Sequence, residues 1–468
     1  MTQSRQQFVG QITEPGLKPR NINLVVDKRP NLTSEESAAG LLWVDNRYEP
    51  QDTRRYGALI DGTTDDIQAY TNGFLAYDTL YMPEGTSSIA SDLQLAANKS
   101  LIGQNWRSSI LSLSGVGTSL LMNDHTTLED MKVVGADTNT NGVHCAATAS
   151  RWLIQRVNIG NCVNGLTLEN TWIGSVIDCL IRDCTDAIHV GNSLNGDGPV
   201  NAIRIVGGEI AASTYGIHFD NDSNGNTSIN AFTVREMAIE PSGTYGVWIE
   251  SQSIGSLAFR DVYWEDCGAA CLRQDVGAQC IAVEGGLMDI GASSGGASTD
   301  AGVEITGGIT DSFIFDGVEV DRRSGSTATD AIRIDSGTTV RMTIKQGTRG
   351  DGALVVNNNS TTAGTAITYE RSDFTSGQSK YPSVLSIGAG SRNNSNQWIQ
   401  ADTILSGNTT LAVTITTEPD ADYEVDCFDF AHDMGGYWIT SKTTTGFTFN
   451  VNTAPGGNSE FHYMIVRR

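Results

Sequence analysis

Gly216–Asp220 reads GIHFD and Gly246–Glu250 reads GVWIE, two copies of one phrase in which a small residue precedes a strand with apolar residues at alternate places. Further copies are GVHCA at Gly142, GLTLE at Gly165, AIHVG at Ala187, ACLRQ at Ala270, GVEIT at Gly302, AIRID at Ala331 and ALVVN at Ala353. Their first apolar residues, Val143, Leu166, Ile188, Ile217, Val247, Cys271, Val303, Ile332 and Leu354, are separated by 23, 22, 29, 30, 24, 32, 29 and 22 residues. Alternation is the period of a strand and not of a helix. Recurrence at an interval of roughly 20 to 50 residues marks a solenoid or a repeat array.

A second strand recurs inside each repeat: VNI at Val157, CLI at Cys179, GEI at Gly208, MAI at Met237, VYW at Val262, LMD at Leu287 and VEV at Val318. A strand, a bend, a second strand and a loop of variable length describe one coil of a right-handed parallel β-helix, an all-β solenoid whose coils bury their inner faces against each other. A leucine-rich repeat is disfavoured because no leucine/asparagine signature recurs, and a propeller because blade length is not constant. Stacking puts equivalent residues about 4.8 Å apart, so aligned copies become a map of the surface.

Composition agrees. The 468 residues include 51 Gly and only 10 Pro, as many tight turns require. Thirty basic against 54 acidic residues give a net charge of −24, which repels phosphate and argues against a nucleic-acid partner. Neutral or amino sugars remain compatible. No apolar run reaches membrane-spanning length, and MTQSRQQFVGQITEPG lacks a signal-peptide core, so no membrane insertion and assembly in a cytoplasm are expected. Eight cysteines form no CxxC pair. Cys162, Cys184 and Cys267 follow the second strand in three repeats and read as stacked inner residues, with no metal site.

From Arg55 the chain reads RYGALIDGTTDDIQAYTNGF, and further on TLYMPEGTSSIASDLQLAANKSLIGQN. These segments resemble the start of the pectate-lyase-like superfamily, which includes polysaccharide lyases, glycoside hydrolases and many bacteriophage tailspikes. The resemblance implies a short helix capping the open end of the β-helix within residues 55–75, with Asp61, Asp65 and Asp66 as turn and N-cap residues. From about Gln400 the strands lengthen, and YWITSKTTTGFTFNVNTAP resembles the terminal β-domain of phage tail proteins. That implies a small C-terminal β-sandwich over 396–468, with turns at 418–420 and 455–457, holding a homotrimer together and contributing to receptor binding. Residues 1–50, with Pro15, Pro19 and Pro30, read as an arm that joins a phage tail or baseplate protein or wraps the trimer; residues 51–395 form the helix. The protein is expected on the virion, acting outside the cell on a bacterial surface polysaccharide, capsule or O-antigen.

Cleaving a glycan by hydrolysis takes two carboxyl groups across the scissile bond. Aligning the second strands on Ile210, Ile239, Trp264, Met288 and Val320 puts Ala211, Glu240, Glu265, Asp289 and Asp321 in the next outward column. Glu240 and Glu265 are the first catalytic pair, with Glu236, Asp261, Asp266 and Asp289 as alternates. Tyr263, Arg235 and Arg260 flank them as substrate-binding residues, and Trp264 falls in the core. Like charges this close are expected to raise at least one carboxyl pKa, as a general acid needs.

A second face follows the opening phrase. Its third positions read His144, Thr167, His189, His218, Trp248, Leu272, Glu304 and Arg333, and its fifth Glu169, Gly191, Asp220, Glu250, Gln274, Thr306 and Asp335. His189, His218 and Trp248 beside Asp220 and Glu250 offer aromatic faces and acids to a sugar. DNDSNG from Asp220 matches the first half of a calcium loop, but Ala231 stands where that motif needs Glu, so an Asx-rich turn is expected. No cofactor is implied. The acidic columns would repel a polyuronate, which favours hydrolysis over elimination; a lyase, and a fibre that binds without cleaving, are the alternatives.

Overall fold

The structure, a computed structural model, describes residues 8–12, 20–24, 32–42, 44–135, 141–145, 148–191, 199–220, 228–240, 242–250, 254–290, 301–322, 330–345, 348–350, 355–358, 360, 366–369, 398–404, 409–414, 423–428, 437–443, 445–454 and 459–467. Three parallel sheets run its length. Sheet A carries the opening phrase and has eleven strands, from Leu93–Leu95 to Val355–Asn358. Sheet B has fourteen, from Thr79–Met82 to Ala366–Tyr369, and sheet C twelve, from Asp61–Asp65 to Arg349–Gly350. Each coil passes A to B to C, so a coil holds three strands where the sequence pattern showed two. The strands of sheet B vary from two residues at Val200–Asn201 to eight at Ile309–Asp316 and share no phrase that recurs at a fixed place.

The repeating apolar residues make the core. Leu166, Ile188, Ile217, Val247, Leu272, Val303 and Ile332 stack in one register and are at most 1% exposed. Burying each contributes roughly 1.5–3 kcal/mol. Two repeats are shifted from the sequence alignment: Leu272, not Cys271, pairs with Val247, and Val356, not Leu354, pairs with Ile332. Cys271 is itself buried, so hydrophobicity alone could not tell the two registers apart. Cys162, Cys184 and Cys267 are buried free thiols, as expected.

Sheets B and C meet at a corner made by one residue in the left-handed region. Asp130, Arg156, Asp178, Gly207, Glu236, Asp261, Gly285 and Gly317 occupy it, with φ between 51 and 67°. Each corner N–H can thereby reach the next coil, as Glu236 N–H donates to the Arg260 carbonyl at 2.9 Å.

The capping helix spans Ile67–Ala76. Asp61 accepts from the Thr63 and Thr64 amides, and Asp65 from Ile67 N–H. Asp66 stands at the helix start but does not cap it; it is buried and accepts from the Leu59 amide and the Ser87 hydroxyl. Towards the N-terminus Phe8–Ile12 pairs antiparallel with Arg20–Leu24. The C-terminal strands form two three-stranded antiparallel sheets, one around Ser459–Arg467 and one around Gly446–Val451. The turns expected at 418–420 and 455–457, and Asn221–Gly225 of the DNDSNG segment, lie outside the described residues. Among the described residues no helix is long and apolar enough to cross a membrane.

Candidate functional site

Two faces carry the candidate residues, and both owe their geometry to coil stacking. On sheet C, Ile181, Ile210, Ile239, Trp264, Met288 and Val320 align as one buried row. Trp264 is fully buried, as its register required. Ala211, Glu240, Glu265, Asp289 and Asp321 follow these residues, and Asp289 pairs directly with Asp321. Between Trp264 and Cys267 the pairing with the next strand shifts register, so that Glu265 and Asp266 together stand opposite the single residue Asp289. Tyr263, in register with Ala238 and Leu287, donates its hydroxyl to Glu265 at 2.7 Å. Burial, reinforced by the Asp321 charge, pushes the Asp289 carboxyl above its usual range. A cleft of about 460 Å³ lined by Trp106, Arg156, Leu180, Glu209 and Ala238 runs along the same sheet.

Glu236 and Asp261 do not join this column. They are the left-handed corner residues, and their side chains leave at the junction of sheets B and C. Each stands three residues before the buried row, at the turn and not on the face of Glu240 and Glu265. Arg235 pairs with its neighbour Glu236 at 2.5 Å and Arg260 with Glu284 at 2.7 Å, so both arginines serve the corner instead of flanking Glu240 and Glu265. The Asp266 side chain lies outside the described residues.

On sheet A one outward column reads His144, Thr167, His189, His218, Trp248, Arg273, Glu304 and Arg333. Arg273 replaces Leu272 because of the shifted repeat, and by the same shift Asp275, whose amide donates to the Ile249 carbonyl, replaces Gln274 beside Glu250. Aligned on the sheet, most of the column joins in hydrogen bonds and ion pairs. His144 pairs with Glu169 at 3.1 Å, and Trp248 stacks on His218 with ring centroids 4.4 Å apart. The Trp248 indole donates to Asp275 at 2.8 Å, and Arg273 binds Asp275 at 2.7 Å and Glu304 at 3.3 Å. Arg333 closes on Glu304 from the other side.

His189 and His218, expected on an open surface, are only 5% and 8% exposed. Each presents Nδ1 to the same buried oxygen, Asp186 Oδ2, at 2.9 and 3.0 Å. His218 Nε2 lies 3.0 Å from Glu250 Oε2, and His189 Nε2 lies 3.6 Å from Asp220 Oδ2. Burial opposes charging of His218, but the bonds to Asp186 and Glu250 outweigh it and raise its pKa. Burial likewise works against ionised Asp186 and Asp275. Bonds from the two histidines to the first, and from Thr306, Trp248 and Arg273 to the second, hold both below their usual range. Asp275 also lines a cleft of about 790 Å³ at the corner of sheets A and B, with Asn230, Gln279 and Asp311.

Asp186, Tyr215, Tyr245, Arg273, Asp275 and Glu304 were not singled out as site residues from the sequence. A signal for three of them was present: Asp186, Tyr215 and Tyr245 stand two places before the first apolar residue in consecutive copies and align in the sheet.

The class of the molecule follows: a parallel β-helix with one acidic ladder and one mixed aromatic and charged ladder. Its fold is that of phage tailspikes. The Dettilon tailspike protein matches with a TM-score of 0.54 at 10% identity, over 89% of this chain and 94% of that one. ORF18 of Geobacillus virus E2 matches with a TM-score of 0.42 at 15% identity, over 88% and 75% of the two chains. In sequence, the preneck appendage protein of Bacillus phage PZA is 32% identical over 77 residues, 16% of this chain and 9% of that protein. No protein-family model matches the chain.

Proposed function

We propose that the protein is a phage tailspike that binds a bacterial surface polysaccharide, capsule or O-antigen, and hydrolyses it along sheet C. The observation that supports cleavage there is the raised Asp289 carboxyl one coil from Glu265, whose carboxylate accepts the Tyr263 hydroxyl. Two neighbouring carboxyl groups in unlike environments divide into an acid and a base. Asp289 protonates the leaving oxygen, Glu265 serves as base or nucleophile, and Glu240 extends the ladder by one coil. The neighbouring cleft with Trp106 offers the sugar an aromatic face. A net charge of −24 disfavours the polyuronate that elimination needs.

The fold shared with tailspikes supports a homotrimer on the virion, joined to the tail through residues 1–50 and completed by the 396–468 unit. The test is incubation with a panel of capsular and O-antigen polysaccharides, following reducing ends together with the ultraviolet absorbance of unsaturated uronates. Reducing ends alone mean hydrolysis; both signals mean a lyase and overturn the mechanism.

A second reading, a fibre that binds without cleaving, draws on sheet A, where Tyr215, Trp248 and Tyr245 cluster with ring centroids 4.9 to 6.1 Å apart. Retained binding with neither signal would select it.

A further inference from the structure

The two buried histidines of sheet A present an arrangement that hydrogen bonding alone does not complete. Asp186 Oδ2 can only accept, so each Nδ1 that faces it carries the hydrogen, and a neutral imidazole then has a bare lone pair on Nε2. Those lone pairs face two more acceptors, Glu250 Oε2 at 3.0 Å from His218 and Asp220 Oδ2 at 3.6 Å from His189. His189 Nε2, on a side chain only 7% exposed, has no hydrogen-bond partner. Taking a proton lets His218 answer both Asp186 and Glu250, in line with its raised pKa, but His189 Nε2 stays unpartnered beside Asp220, a costly arrangement for a buried ring nitrogen.

We propose that this cluster is a binding site for one divalent transition-metal ion of the zinc class, held by His218 Nε2, Asp220 and Glu250, with His189 Nε2, 3.6 Å from Asp220 Oδ2, as the nearest further donor. The donor atoms of His218, Asp220 and Glu250 lie within 4.8 Å of one another. Tetrahedral zinc, with bonds of about 2.0–2.2 Å, sets neighbouring nitrogen and oxygen ligands roughly 3.4 Å apart. The two separations of 3.0 and 3.6 Å bracket that edge. Imidazole nitrogens select this class of ion over calcium or magnesium, which take oxygen.

Asp186 completes the chemistry one layer further in. A carboxylate accepting the remote N–H of a metal-bound histidine fixes its tautomer and orients its lone pair, and here one carboxylate does so for both rings. Trp248, stacked on His218, prevents that ring from turning away. Asp220 and Glu250 are 28% and 29% exposed in their side chains, which gives an ion access from solvent. The site stands on sheet A and does not depend on where, or whether, a glycan is cleaved.

The test uses the full chain, stripped with a chelator, titrated with Zn2+ by calorimetry and with Co2+ by visible absorbance. One Zn2+ per chain should bind with a dissociation constant of about 1 μM or tighter, and Co2+ should give the intense bands of a four-coordinate ion. His189→Ala, Asp220→Asn and Glu250→Gln should each weaken uptake at least tenfold, and Asp186→Asn by about 10–100-fold. His144→Ala, removing a histidine–glutamate pair elsewhere on the sheet, should not. If the histidine variant does not fold, the two partly exposed carboxylates still decide the matter. Stoichiometry unchanged across the cluster variants, or a weak six-coordinate Co2+ spectrum, overturns the site. Assaying cleavage on the same stripped protein separates the readings: no Zn2+ uptake with cleavage intact overturns this site alone, whereas uptake without cleavage supports it and counts against the hydrolase.

Discussion

Sheets A and C are built from the same coils, with the same rise between equivalent residues, yet they treat charge in opposite ways. On sheet A the outward column alternates sign, Arg273, Glu304, Arg333, and the histidines are locked between carboxylates on successive coils. On sheet C successive coils present Glu240, Glu265, Asp289 and Asp321, acid beside acid. Stacking amplifies whatever a repeat carries: complementary residues become a network, and like residues become a ladder of repulsion. A network of paired charges holds its members in fixed positions, and the ring nitrogen it leaves over, His189 Nε2, suits an ion. A ladder of like charge shifts proton affinity, which is what acid–base chemistry uses.

The largest effect that could break this contrast is on cleavage. Glu265→Gln or Asp289→Asn should each lower the rate of reducing-end release by about 10²–10⁴-fold, with glycan binding retained in a pull-down. Arg273→Ala on sheet A should leave that rate within a few-fold. The reverse pattern would move the chemistry to the other face.

Stability should respond in the opposite sense. Asp186→Asn leaves His189 and His218 without their shared charged acceptor inside the protein. Breaking a buried ionic cluster from one side costs roughly 3 kcal/mol, so the urea midpoint should fall clearly. An unchanged midpoint would mean that the sheet A network holds nothing together.

How much of this was legible in the sequence depended on which structural quantity each pattern reported. The β-helix, the buried row through Trp264 and the acidic column were readable because a strict period of two survives in strands of sheets A and C. Sheet B was not, since its strands run from two residues to eight and share no recurring phrase. Glu236 and Asp261, expected as alternates to the catalytic pair, stand at equivalent places in successive coils, but a left-handed φ that the sequence does not display sends their side chains to a corner. Burial of His189 and His218 was invisible because Asp186, which holds them, lies outside the two positions that were compared.

A subtler consequence concerns pH. The Asp289 carboxyl has a higher proton affinity folded than unfolded, because it is partly buried beside Asp321. The folded state therefore binds more protons than the unfolded one between the ordinary carboxylate value and the raised one, and stability falls as pH rises through that interval. Asp289→Asn removes this loss. The variant's melting temperature should match or exceed that of the parent at neutral pH, with the gap closing in acid below the ordinary carboxylate range, while the same substitution is expected to slow cleavage. A residue kept at some expense of stability is the signature of a working group rather than a structural one. A gap that widens in acid would refute the sign of the shift.

The smallest effect separates a corner from a site. Glu236 and Asp261 hold φ near 54 and 52°, where a side chain costs about 1–2 kcal/mol and glycine does not. The chain itself places Gly207, Gly285 and Gly317 in the same column. Glycine adds entropy to the unfolded chain worth roughly 0.5–1 kcal/mol, so most of the relief is offset. Glu236→Gly should leave cleavage unchanged and move stability by no more than about 1 kcal/mol, towards greater stability. A loss of cleavage would return Glu236 to the catalytic cluster, because backbone strain at a corner has no route to the reaction except through a side chain that reaches it.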